Sequence, residues 1–504
     1  MSVKVFSSAL VGLEAREIEV EVDFAPGLHS FSIVGLPDKA VEESKERVSS
    51  AVKNSGAKPP QHHNRRITVN LAPADLKKQG PGFDLAIAIG FLLASDQMQK
   101  INAKDKIFLG ELSLDGSLRR VNGVLPAAIL AKRENKILVI PRENQTEAQL
   151  VEGLRILSAD NLVELLQKLE SEEENYILGS GANEIFDDKS KIPEVDFAFI
   201  QGVERAKRAL EIAAAGSHNV YMEGPPGGGK TLLSRSLPTI LPKMTKDEVL
   251  EVTQIYSVAG LLPKEKPIMT ERPFRAPHHS SSVVALIGGG THIRPGEITL
   301  AHRGVLFLDE FPEFRRDVIE ALRQPMEDGI VQVARAEETL IFPARFTLVA
   351  AANPCPCGYL NDPQKECNCT PSQIARYRRK ISGPILDRID IKIEVSRISF
   401  EKLTSESTGK WSREIQKETE KARQIQEERG FLNSQMPLPE IKKFCKIDIE
   451  SEDLLRQAMQ KLNLSPRSYH KILKVARTIA DLEGKENISR DHLAEAISYQ
   501  EKKE

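Results

Sequence analysis

The sequence predicts an α/β chain: a parallel-sheet core preceded by a smaller α/β domain and followed by a helical domain. Three observations lead there. The apolar run Asn219-Val220-Tyr221-Met222-Glu223 passes into Gly224-Pro225-Pro226-Gly227-Gly228-Gly229-Lys230-Thr231 and then into helix formers from Leu232, the order strand, glycine loop, helix. Two further runs, Val305 to Leu308 and Phe346 to Ala352, are apolar without alternation, as strands buried on both faces are. From Phe400 onward the pattern is helical.

Length and charge set the outer limits. A chain of 504 residues holds two to four domains, each able to bury its own core. Lys and Arg (70) nearly balance Asp and Glu (72), so any DNA-binding surface must be local. The apolar run from Leu85 to Ala94 is about ten residues, half of a membrane-spanning helix, and the N-terminus lacks a signal peptide's basic-then-apolar order. The expectation is a cytoplasmic protein without membrane association. Of the five cysteines, four lie between residues 355 and 369, which in a reducing compartment suggests metal binding over disulfides.

Residues 1–170 alternate strand-like and helix-like segments: Ile18 to Val22 and Arg66 to Leu71 read as strands, Val41 to Lys53 as a helix. Lys58 to Arg66, with His62, His63, Arg65 and Arg66, is a local basic patch, either a DNA contact or a solvated loop. Residues 171–195 are acidic and then rich in Gly, Ser, Asn and Asp, a linker's composition. The core, 196–399, opens with a helix from Glu204 to Ala215. Between Pro238 and His302 it holds far more chain than the dozen or so residues a βαβ crossover needs, so that interval carries insertions. The stretch from Arg272 to Gly290 reads there as a glycine-rich loop with exposed Arg and His. Glu327 to Phe342 reads as a helix end and a hairpin with Arg335 to Glu338 near its tip. Both are candidate loops toward the pore of a ring. Residues 400–504 form a helical lid, with helices from Ser412 to Arg429, Ser451 to Leu462, Ser468 to Glu483 and Asp491 to Tyr499; Cys445 reads as core.

The glycine loop carries the chemistry. Its backbone, from Gly224, Pro225 and Pro226 through Gly227, Gly228 and Gly229, can curl so that several N–H groups face one phosphate chain of ATP. Lys230 adds charge at the β and γ phosphates, and Thr231 offers Mg²⁺ a hydroxyl. Asp309 and Glu310 end the run Gly304 to Leu308, Asp309 to hold Mg²⁺ and Glu310 to polarise the attacking water. Asn353 ends the next run, in reach of the γ-phosphate or that water. Arg388, after Gly383-Pro384-Ile385-Leu386-Asp387, is a candidate finger toward a neighbouring subunit's ATP, where a guanidinium is worth roughly 10³ to 10⁵ in rate. The alternative is an ion pair with Asp387 or Asp390. Arg467, beside Pro466 at a helix start, could reach back to the nucleotide or be an ordinary surface arginine. Arg376, Arg378 and Arg379 suit DNA or a neighbouring subunit equally. Cys355, Cys357, Cys367 and Cys369 form two C-x-C pairs able to give one Zn²⁺ four thiolates, with Gly358, Asn361 and Pro363 permitting the turn; free or redox-active thiols are the other reading.

Two resemblances sharpen this. Lys78 to Ile89, Leu109 to Gly116 and Val121 to Ala128 resemble the proteolytic domain of Lon-type proteases, built like ribosomal-protein S5. A Lon protease needs a serine nucleophile and a lysine base; those places fall here on Gly82 and near Leu125 and Pro126, so the domain is expected to be a non-proteolytic scaffold. Walker A, Walker B, sensor 1, a finger candidate and a helical lid, in that order, make an AAA+ ATPase. Arg272-Pro273-Phe274-Arg275-Ala276-Pro277-His278-His279, Arg294 to His302 and Asn353 to Gly358, behind the Lon-like domain, resemble the YifB/ComM family of magnesium-chelatase-like ATPases over nearly the whole chain. That resemblance implies a hexameric ring moving along single-stranded or branched DNA and promoting branch migration during natural transformation. It also implies roles: Gly229, Lys230 and Thr231 on phosphate and Mg²⁺, Asp309 and Glu310 as Walker B acids, Asn353 as sensor 1, Arg388 as finger, Arg467 as sensor 2, and the four cysteines as the family's insertion. The motor of a magnesium-chelatase-type complex and an ATP-driven remodeller of a protein partner stay open as other classes. A protease would need the missing dyad.

Overall fold

The computed structural model describes residues 2–99, 101–171, 176–181, 195–265, 267–290, 293–334, 339–362, 364–397 and 409–500. Most of the expected linker, the hairpin tip Arg335 to Glu338, Pro363 and Phe400 lie outside the described residues. The chain forms two compact units, 1–188 with 245–270, and 189–244 with 271–504. Among the described residues no helix is long and apolar enough to cross a membrane.

The first unit is built on an eight-stranded mixed sheet in the order Ile177–Leu178, Arg155–Ala159, Ile137–Pro141, Lys106–Phe108, Val3–Val11, Glu14–Pro26, Arg65–Ala72, Ser30–Val34. Alternation in Glu14–Pro26 buries Ile18, Val20 and Val22 on one face. The helix Asp84–Ala94 is buried along nearly its whole length and lies so close to that face that a Cβ on Gly90 would stand 2.7 Å from Val22. The basic patch is divided by this packing: His63 sits against the rings of Phe24 and Phe91, and burial lowers its pKa, whereas Lys58, His62, Arg65 and Arg66 stay exposed. Gly82 lies on Leu109, and Leu125 and Pro126 are buried in the helix Val124–Arg133.

Part of the long interval after the phosphate loop belongs to this first unit. Thr245 caps the helix Lys246–Ala259 with a reciprocal capping box through Glu248, a start signal that the reading of the interval as insertion had passed over. The helix is anchored by polar contacts: Gln254 donates to the Leu13 carbonyl at 2.7 Å, Ser257 to Glu147 at 2.5 Å, and the Gly123 amide to the Ser257 carbonyl at 3.2 Å. Glu147 also accepts from the Leu125 amide at 2.9 Å, and its burial pushes its pKa up. Glu147→Leu leaves these donors without an acceptor at a cost of about 1–3 kcal/mol. Hydrogen–deuterium exchange in Lys246–Ala259 and at Leu125 should therefore run roughly 5- to 100-fold faster than in the native chain, at 1.4 kcal/mol per tenfold.

The second unit holds a five-stranded sheet in the order Phe274–Arg275, Val305–Leu308, Thr347–Ala352, Val220–Glu223, Ile391–Glu394, every pair parallel. The expected runs are its strands, fully buried in Val305–Leu308 and Thr347–Ala352. The helices Glu204–Gly216, Ser412–Glu428, Pro466–Leu482 and Arg490–Ser498 join the sheet in one hydrophobic cluster, which also takes in Cys445. Burial raises the Cys445 thiol to about 12, as a core cysteine requires. Buried His218 ties the helical part to the sheet, meeting Asp390 at 3.1 Å and Thr478 at 2.7 Å.

Candidate nucleotide site and cysteine cluster

In chain order the strands of the five-stranded sheet stack as 2-3-4-1-5, so the strand order reverses at Val220–Glu223. Ligands of open α/β sheets bind at the carboxyl ends of strands beside such a switch point. Pairing sets Glu223 beside Ala352 and Leu308 beside Ala350, so Gly224, Asp309 and Asn353 emerge on one edge.

The loop after Glu223 turns tightly. Gly224 passes so close to Val395 that a Cβ would lie 2.1 Å from its carbonyl oxygen, and Gly229 enters the helix Lys230–Ser236 at φ 86°, where a side chain is strained. Lys230, almost buried, donates to the carbonyls of Gly224 at 2.5 Å and Pro225 at 2.9 Å and to Asn353 Oδ1 at 3.2 Å. Burial lowers its pKa, against the pull of Asp309 and Glu223. Thr231 Oγ1 donates to Asp309 Oδ2 at 2.9 Å, and the Glu310 amide to Asp309 Oδ1 at 2.9 Å. Thr231, Lys230, Asp309 and Asn353 thus form one connected group. The hydroxyl and carboxylate are hard oxygen donors of the kind Mg²⁺ takes, and they fit that ion.

Glu310 adopts φ 50°, ψ 44°, a left-handed conformation uncommon outside glycine and characteristic of functional turns. Its carboxylate lies 3.1 Å from His279 Nδ1. The expectation of exposed Arg and His from Arg272 onward holds for His278 and is corrected for Arg272, Arg275 and His279, which are part-buried. Arg272 donates to the carbonyls of Pro242, Lys243 and Arg303, Arg275 forms a bidentate pair with Glu297 at 2.6 and 2.7 Å, and His279 faces Glu310. The donors of this segment are used inside the unit. His279 is the functional candidate that sequence reasoning missed; its signal was two adjacent histidines in an otherwise apolar and basic stretch.

The two remaining arginines are placed together, on Glu327. Arg388 Nη2 lies 2.5 Å from Glu327 Oε1, and Arg467 donates to the same oxygen. Of the two competing partners expected for Arg388, Asp387 and Asp390, the second meets His218 instead. Arg388 and its neighbours hold the Glu327 carboxyl below its ordinary range. Arg376 and Arg379, with Arg316 and Lys380, line a cavity of about 360 Å³ just after the Glu310 turn, while Arg378 lies 3.6 Å from Glu223.

The four cysteines converge. Cys355, Cys357 and Cys367 have sulfurs 3.3 to 3.7 Å apart, and all four ligand atoms lie within 4.8 Å of one another. Thiolates bound tetrahedrally at 2.3 Å stand about 3.8 Å apart, so the donor set and its spacing fit Zn²⁺. Contact among the sulfurs splits the thiols: Cys357 is lowered to about 6, chiefly by the Tyr359 amide, while Cys367 and Cys369 are raised by burial and the neighbouring sulfurs. The cluster abuts the phosphate loop: a Cβ on Gly358, at φ 85°, would stand 2.7 Å from Pro226.

Comparison with known proteins agrees with this layout. Family descriptions match three segments: "Magnesium chelatase, subunit ChlI" over 196–403, "Subunit ChlI of Mg-chelatase" over 20–144, and "Magnesium chelatase, subunit ChlI C-terminal" over 409–500. The chain is 45% identical to Competence protein ComM of Haemophilus influenzae, over 98% of this chain and 96% of that protein. It is 40% identical to the uncharacterized protein YifB of Escherichia coli, over 98% and 96%. Likeness to Lon protease 2 of Bacillus subtilis is partial, 27% over 170 residues and 30% of each chain. With a nucleotide-type site on a parallel sheet, a helical C-terminal region and identity across nearly its whole length, the chain belongs to the YifB/ComM family of magnesium-chelatase-like AAA+ proteins.

Proposed function

We propose that this chain is an ATP-driven DNA motor which, as a hexameric ring, moves along single-stranded or branched DNA and promotes branch migration during natural transformation. The observation that carries the ATPase part is the pairing of adjacent Lys230 and Thr231 with Asn353 and Asp309 from two neighbouring strand ends, with Glu310 beside them. Near-complete coverage of a competence protein supports the recombination part. In this reading Lys230 would exchange its carbonyl partners for phosphate oxygens, Thr231 and Asp309 would hold a Mg²⁺ whose charge would offset that of the phosphates, and Asn353 would orient the γ-phosphate or attacking water. Glu310 is the base, and its bond to His279 fixes where its carboxylate rests. Arg388 serves a neighbouring subunit's nucleotide.

Unwinding of a synthetic three- or four-way DNA junction with ATP and Mg²⁺ tests this. The native chain should release strands, and Glu310→Gln should turn over ATP about 10²-fold or more slowly. ATP turnover indifferent to DNA, with no strand release, supports the chelatase-type or protein-remodelling motor instead.

We also propose that Cys355, Cys357, Cys367 and Cys369 bind one structural Zn²⁺. Elemental analysis of protein purified without chelator should find about one zinc per chain. Replacing Cys367 and Cys369 together by serine should remove it and lower the thermal midpoint, because thiolate ligands contribute folding energy directly.

A further inference from the structure

The two arginines that the sequence associates with catalysis meet on one carboxylate. Glu327 stands near the end of the helix Arg323–Asp328, Arg388 follows the short helix Gly383–Leu386, and Arg467 lies in the first turn of Pro466–Leu482. Three elements far apart in the chain therefore share a single oxygen, Glu327 Oε1. Arg388 donates also to the Pro384 carbonyl at 2.6 Å, while its Nε is buried without a hydrogen-bond partner among the described residues.

Charge explains why the shared partner matters. Two guanidinium groups brought to one point repel each other, and the negative carboxylate between them offsets that repulsion. A guanidinium presents a planar fork of N–H donors that fits carboxylate and phosphate alike, so the two anions compete for the same donors. Exposure decides which side of the contact moves more easily. The Arg388 side chain is 14% exposed and Glu327 is 41% exposed, so the carboxylate can pass into water while Arg388 stays where its stem is packed; Arg467, at 50%, moves as freely as the carboxylate. Because both arginines use the same oxygen, one movement of Glu327 frees both.

We propose that Glu327 is an exchangeable counter-ion for Arg388 and Arg467, a latch that occupies both guanidinium groups until the phosphate chain of a neighbouring subunit's nucleotide displaces it. The inference rests on the ATPase reading above and adds a control to it. A nucleotide's phosphates carry more negative charge than one carboxylate, so the exchange runs toward phosphate when ATP arrives. Glu327 touches no reacting atom in this scheme; it acts through the two arginines, as a positioning residue.

The experiment is equilibrium binding of a fluorescent ATP analogue to the full chain, comparing the native protein with Glu327→Gln and Glu327→Asp. The glutamine keeps the shape and loses the charge that competes with phosphate. Its Kd should fall about 3- to 10-fold, with ATPase KM falling in parallel and kcat changing less than about twofold, the range expected on losing a pair of half-exposed ion pairs. Glu327→Asp, which retains the charge, should stay within about twofold of native. In an Arg388→Ala/Arg467→Ala background, Glu327→Gln should leave Kd unchanged. A Glu327→Gln protein with a native thermal midpoint and an unchanged or weaker Kd overturns the latch, and so does a tighter Kd that persists without the two arginines. A native chain that binds no ATP overturns the ATPase reading itself, which distinguishes the two failures.

Discussion

Parallel pairing of Val220–Glu223 between Thr347–Ala352 and Ile391–Glu394 is the constraint on which the second unit depends. All strands of a parallel sheet end on the same edge, and here the residues that follow three of them are Gly224, Asp309 and Asn353. The strand carrying Asn353 lies between those leading to the phosphate loop and to Asp309, although it comes later in the chain than either. That insertion is what sets Asn353 at 3.2 Å from Lys230 and Asp309 at 2.9 Å from Thr231. A change of register by one residue would turn every one of these side chains to the opposite face. The fully buried strands Val305–Leu308 and Thr347–Ala352 hold the register by burying apolar side chains on both faces.

In the second unit the charged groups come in matched sets. Arg272 uses backbone carbonyls, Arg275 uses Glu297, His279 meets Glu310, and Glu327 receives both Arg388 and Arg467. A half-buried cation without a partner is costly, so a segment dense in Arg and His finds acceptors wherever the fold offers them. The same rule separates the cysteines: Cys445 is apolar core, whereas the other four point at one another beside the phosphate loop. Gly358 against Pro226 joins the cysteine cluster to the loop through a contact that no larger residue could make. The two features adjoin because the strand ending in Asn353 runs directly into Cys355.

Much of this was legible in the sequence, and for local reasons. Strand, glycine loop and helix formers from Asn219 to Leu233, the two apolar runs ending at Asp309 and Asn353, and the C-x-C pairs are patterns over a few neighbouring residues, and their chemistry follows from residue type and spacing. The helices Ser412–Glu428 and Pro466–Leu482 likewise follow from periodicity. Less was legible where a residue's role depends on a partner far along the chain. Nothing in the stretch from Lys246 to Ala259 says that it packs with residues near Leu13 and Glu147, because Gln254 and Ser257 read as ordinary polar helix residues until acceptors far along the chain meet them. The run Arg272 to His279 reads as exposed because its acceptors, at Pro242, Glu297 and Glu310, come from other elements.

The sequence by itself determined the fold class, the phosphate loop, the acids at the strand ends and the four-cysteine set, since each is written in short-range spacing. Only the tertiary structure decided which charge faces which: that Arg388 pairs with Glu327 rather than Asp390, that Arg467 shares the same oxygen, and that His279 turns onto Glu310. The physical reason is that ion pairing is set by distance in space. A sheet that inserts its fourth strand between its first and third brings together groups between which the sequence shows no relation.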